Sequence, residues 1–147
     1  MIGIGDSGGP LAVQGNLERM DTLLLLMPPA WLVRIAVAGV WVYEGLWCKI
    51  LGREKNELRI VEAVPRYGER FGRPFLLALG WVELLLGLWV LSGWAPGLCA
   101  LAQTVLLVML NGNGLLWSRH LIHDPGGMVF KNFAFLVLGW VNAGLAV

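Results

Sequence analysis

Four runs of mostly apolar residues, Ala30 to Ile50, Pro74 to Trp94, Pro96 to Trp117 and Met128 to Val147, take up more than half of this 147-residue chain. Each has about the 20 residues that a helix needs to cross roughly 30 Å of hydrocarbon. A helix pairs its own backbone groups, which lipid cannot do for it. A closed barrel would require alternation of period two, and these runs are continuous. The chain therefore reads as an all-α integral membrane four-helix bundle. Composition agrees, because 57% hydrophobic and 14% charged residues leave too little polar surface for a chain solvated by water alone. A net charge of +1 and the lack of a basic stripe interleaved with aromatics exclude nucleic acid as the partner class.

The punctuation supports these spans. Pro28, Pro29, Pro74, Pro96 and Pro125 stand at or just before the expected helix starts, where a missing amide hydrogen costs nothing. Trp31, Trp47, Trp94 and Trp117 fall near span ends, the depth that amphipathic rings prefer, while Trp41, Trp81, Trp89 and Trp140 lie deeper. The first connection, Leu51 to Arg73, contains Asn56 to Val64, which reads as a short amphipathic helix lying in the interface until Pro65 stops it. Helices two and three are separated by little more than Gly93 to Pro96 and are expected to be antiparallel neighbours. Two segments result: residues 1–29, with Gly3, Gly5, Gly8, Gly9 and Pro10, are expected to be a flexible tail, and residues 30–147 form the membrane domain. No cleavable signal peptide is evident, so the first span is expected to act as its own insertion signal. Lys49, Arg53, Lys55, Arg59, Arg66, Arg70, Arg73, Arg119 and Lys131 lie on the side of loops one and three, against Arg19 and Arg34 on the other. The positive-inside rule then places a multi-pass protein in the plasma (inner) membrane, with the long loop in the cytoplasm and both termini outside.

The ionisable residues within the spans gather at one level. By helical rise, Glu44 lies roughly 9 Å in from the end of helix one and Glu83 roughly 14 Å in from the start of helix two. Lys131 and Asn132 open helix four, and Asn111 and Asn113 approach the same depth from helix three. A central carboxylate costs about 2.5 to 3.5 kcal/mol even on permissive scales, so Glu44 and Glu83 should face the interior, be protonated or meet a cation, with Lys131 the expected partner. Gly80, Glu83 and Gly87 share a face that lets a neighbouring backbone approach. Trp41, Glu44 and Cys48 share a face of helix one, and Trp41, Tyr43 or Trp47 could flank a planar ligand. The plainer reading, a structural ion pair that locks helix packing, has equal weight.

Other candidates carry less. His120, His123 and Asp124 have a spacing that could hold a metal, but Asp124 reads more simply as the N-cap of helix four with Pro125 behind it, and no metal is expected. Cys48 and Cys99 fall at opposite ends of the bundle, roughly 25 Å apart by helical rise, too far for a disulfide. Arg34 and Asn142 are expected to meet as a structural pair.

The segments GVWVYEGLWCKI, GWVELLLGLWVLSG and HDPGGMVFKNFAFLVLG resemble the DoxX-like family of small four-span membrane proteins over residues 31 to 147. That resemblance implies the four-helix fold. It also carries the family's glycine-rich helix-one end, helix-two Glu and helix-four Lys-Asn onto Gly45, Glu83, Lys131 and Asn132. Relatives include a membrane subunit of an archaeal thiosulfate:quinone oxidoreductase, so the resemblance implies a quinone-linked membrane subunit or accessory protein of a redox system. In that role quinone is the ligand and a redox enzyme subunit the partner. The sequence holds no haem-attachment motif or cysteine cluster, so any electron donor would be that partner. The alternative is a non-enzymatic membrane scaffold or assembly factor whose polar cluster only fixes the fold. A carrier of protons or small solutes would require a homo-oligomer to enclose a path and ranks last.

Overall fold

The computed structural model describes residues 13–19, 28–65 and 68–146, and the expected flexible tail lies largely outside them; 13–19 are helical with exposed side chains. Helix α1 (Ala30–Val42) starts directly after Pro29 and continues without a break into a more widely wound segment, Tyr43–Ile50. Helix α2 (Lys55–Glu62) is the interfacial helix that the first connection was expected to hold, with Glu54 accepting from the Asn56 amide at its start. Helix α3 (Gly68–Ser92), α4 (Pro96–Trp117) and α5 (Pro125–Leu145) complete the chain, with a short 3₁₀ turn at Arg119–Leu121 before α5. Among the described residues, four helices are long and apolar enough to cross a membrane: Ala30–Ile50, Arg70–Ser92, Pro96–Trp117 and Pro125–Leu145.

Pro96 and Pro125 occupy first helical positions as expected, but Pro74 lies inside α3 rather than at its start. Proline there removes one amide, and near the headgroups water can satisfy the carbonyl left unpaired, so the helix can begin among charged residues before it enters lipid. The closest packing joins α1 and its extension to α3, and α4 to α5. The contact between α3 and α4 is slighter, although the short link ties their ends together.

The core lies towards the end of the bundle away from α2. Val33, Val37, Ala38 and Trp41 of α1 meet Leu86 and Val90 of α3 and Cys99 and Leu107 of α4. Trp41 stacks obliquely on Phe135 of α5 with centroids 5.5 Å apart, and its indole N–H donates to Gln103 Oε1 at 2.8 Å. Trp41 is therefore a core residue, out of reach of a ligand that approaches from lipid. Cys48 and Cys99 are both free, buried thiols. Arg34 does not meet Asn142: its guanidinium lies against Gly93 in the α3–α4 turn, and Asn142 is buried separately. Trp31, Trp47, Trp94 and Trp117, the span-end tryptophans, are all exposed, as rings at the headgroup level would be.

Candidate functional site

The site begins with how α1 ends. From Tyr43 to Ile50 the backbone winds as a π-helix, with Leu51 N–H donating to Leu46 O at 2.9 Å, five residues back. In an α-helix, neighbours on one face are three or four residues apart. With bonds between residues five apart, residues at that spacing share a face instead. Two pairs do so here: Lys49 Nζ lies 3.5 Å from Glu44 Oε2, and the Tyr43 hydroxyl lies beside the Cys48 thiol. Such widened turns are rare and recur at functional sites.

Helix α3 supplies the next group. Gly45 and Gly80 meet where the two helices cross: a Cβ on Gly45 would stand 2.5 Å from Gly80 O, and one on Gly80 would stand 2.8 Å from Gly45 O. This is the approach that the Gly80, Glu83 and Gly87 face was expected to permit, and it brings Glu83 directly against the π-helix. Glu83 is only 2% exposed, and its Oε2 lies 2.9 Å from Lys49 Nζ. The interfacial helix closes the site from outside, placing Glu57 Oε2 3.3 Å from the same ammonium. Lys49, 6% exposed, is thus surrounded by three carboxylates drawn from three elements.

One ammonium cannot neutralise three carboxylates in a medium of low dielectric, so the cluster has room for a further proton. Glu57 lies outside the spans. Burial pushes its carboxyl above the ordinary value, Lys49 pulls it back down, and Glu44 raises it. The raised value in the folded chain means that the folded state holds this proton more tightly than the unfolded one. The resulting stabilisation is complete below the ordinary carboxyl value of 4.5 and is lost as pH rises through the higher folded value. Glu57→Gln should therefore flatten the melting temperature against pH across the weakly acidic range. Thermal unfolding in detergent checks this, and an unchanged profile would contradict it.

The other expected site residues lie apart from this cluster. Lys131 is exposed and makes no ion pair among the described residues, so Glu83 finds Lys49 and not the expected Lys131. Asn132 donates to Asn111 Oδ1 at 2.6 Å, which joins α5 to α4. Asn113 donates to Met109 O of its own helix at 2.9 Å and is exposed. Tyr43 and Trp47 are both exposed on the π-helix that carries Glu44, with the Arg53 guanidinium 5.4 Å from the Trp47 ring centroid. Asp124 caps α5 by accepting from Gly127 N–H at 2.9 Å, and His120 and His123 are exposed. These three do not come within a common ligand distance. Among the described residues the group that does is Glu44, Cys48 and Glu57, whose ligand atoms lie within 4.8 Å of one another, with Lys49 as the cation already seated against both carboxylates.

Lys49 and Glu57 were not legible as site residues. Lys49 ends an apolar run and counts towards orientation, and its spacing of five from Glu44 is off-face for an α-helix. Glu57 reads as one polar position of an amphipathic helix. The one available signal was Lys49's place inside the first span's 21 residues rather than beyond them.

A family model described as the DoxX-like family matches residues 38–140. No curated protein and no solved structure matches the chain.

Proposed function

This chain belongs to the DoxX-like family, and from that premise we propose that it is a quinone-linked membrane subunit of a redox system, set in the plasma membrane with the α2 side in the cytoplasm. One observation carries the reading: a chain of acid and base groups runs from the buried Glu83 through Lys49 to Glu44, whose side chain is 41% exposed. Reducing a quinone to a quinol takes two electrons and two protons. The ring would approach from lipid at Glu44, flanked by Tyr43 and Trp47, and the carboxylates would deliver protons to its oxygens through the Lys49 ammonium. The electrons would come from a partner subunit, as the sequence carries no redox centre of its own. The basic residues concentrated around loops one and three support the orientation.

A second reading rests on the same cluster. Lys49 is paired where the backbones of α1 and α3 cross, which is where an ion pair would lock packing in a scaffold protein. Thermal unfolding of the purified protein in detergent with menaquinone and ubiquinone analogues separates the two. At a hundredfold excess over Kd, a bound quinone should raise the wild-type midpoint by roughly 5 to 10 °C. Glu44→Gln and Glu83→Gln should lose most of that increment. Variants that melt earlier yet keep the full increment, or a wild type that no quinone moves, would favour the scaffold.

A further inference from the structure

A cavity of about 280 Å3 lies between α2, α3 and α4 on the α2 side of the bundle, lined by Ile60, Val61, Phe71, Phe75 and Leu110, with Asn113 and Ser118 among its few polar walls. The interfacial helix is held over it by Ser118 Oγ, which donates to Ile60 O at 2.6 Å, and by Asn56 Nδ2, which donates to Leu121 O at 3.5 Å. Phe71, Phe75 and Asn113 line the cavity and are also exposed, so it opens to the side rather than being sealed.

The elements that form this cavity also carry basic residues. Each element that borders the cavity carries an arginine next in sequence to a lining residue: Arg59 beside Ile60 on α2, Arg70 beside Phe71 on α3, and Arg119 beside Ser118 after α4. All three are exposed. The Arg70 guanidinium lies 5.5 Å from the Phe71 ring centroid, directly over one wall of the cavity. Arg73, by contrast, turns away to the first loop, where it donates to Lys49 O and packs on Gly52. Glu62 packs against Gly72, another lining residue.

We infer that this cavity is a binding site for an anionic phospholipid, one acyl chain entering between α2, α3 and α4 while Arg59, Arg70 and Arg119 hold the headgroup. The volume is just below the usual range for small-molecule pockets, about 300 to 1,000 Å3, and suits the end of one chain rather than a whole diacyl lipid. Apolar walls serve the chain. Arginines serve an anion and add nothing for a neutral ring, so this ligand is distinct from the quinone proposed above. Basic pockets between membrane helices recognise anionic headgroups by this means, with each cation near the surface counting for about fivefold in binding.

The test is native mass spectrometry of the full chain in detergent, with added phosphatidylglycerol, phosphatidylcholine of the same chains, or oleate. One phosphatidylglycerol should be retained in preference to phosphatidylcholine. Replacing two arginines, Arg70→Gln with Arg119→Gln, should cut that retention about 25-fold. Asn113→Phe fills the cavity from an exposed position whose side chain bonds only its own helix, so it should fold normally and also abolish retention. Equal retention of both phospholipids would overturn the inference. So would retention that ignores the Phe substitution, which would mean a headgroup resting on the surface, and so would oleate displacing the phospholipid.

Discussion

Lys49→Met is expected to be the most destabilising single substitution in the polar cluster. Its ammonium is the shared partner of Glu44, Glu57 and Glu83, at 3.5, 3.3 and 2.9 Å. Removing it leaves Glu83 as a carboxylate that is 2% exposed with no cation, a change that costs about 3 to 5 kcal/mol when a buried pair is broken from one side. Replacing both members is a different matter. Lys49→Met together with Glu83→Leu removes the buried charge as well as its partner, and exchanging a buried ion pair for apolar residues of similar volume is often neutral or better. Glu44 and Glu57 remain in the double variant, but both are partly exposed and can be met by water. The double variant should therefore recover most of the loss, and chemical or thermal unfolding in detergent of the four members of the cycle measures it. A double variant as unstable as Lys49→Met would show that the loss does not come from stranding the Glu83 carboxylate. On the quinone-linked proposal, the quinone-dependent shift should stay absent from the double variant even where stability recovers.

Gly45→Val should be nearly as damaging for an unrelated reason. Even one carbon at this position would meet Gly80 O at 2.5 Å and Leu84 N at 2.9 Å, which are backbone atoms that no rotamer change can move. Helices α1 and α3 would have to separate. Forcing extra carbon atoms into a packed interface usually costs about 1 to 3 kcal/mol, and contact with backbone places this site at the upper end or beyond. Separation would also draw Glu83 away from Lys49, so on the quinone-linked proposal the quinone-dependent shift should fall together with the melting temperature. Gly112→Ala is the matched control, since nothing lies within 4 Å of the added carbon and alanine favours the helix. A Gly45→Val protein that melts with wild type would mean that the helices do not cross this closely.

Much of this architecture was readable before any coordinates. Four runs of helix-spanning length, prolines at three of their starts, tryptophans at their ends and a moderately polar first connection lead to the fold, because lipid leaves the backbone so few solutions. The Gly80, Glu83 and Gly87 face was also readable, since helical spacing places those residues in register whatever surrounds them. Burial of Glu83 followed from the cost of a carboxylate in lipid.

The partner of that carboxylate was not readable. Lys131 and Lys49 both lie at the right depth, and depth is all that a linear threading supplies. Choosing between them needed two facts that exist only in three dimensions: α1 packs on α3 more closely than α5 does, and α1 changes its winding just before its end. The π-helix moves Lys49 onto the face of Glu44, where an α-helical reading would not place it, and Glu57 joins because α2 folds back over the crossing. The length of the apolar runs therefore determined what spans the membrane, and helical spacing which residues share a face. The charged site was decided by how separate helices pack, because an ion pair depends on a few ångströms between residues distant in sequence, and hydropathy holds no record of that distance.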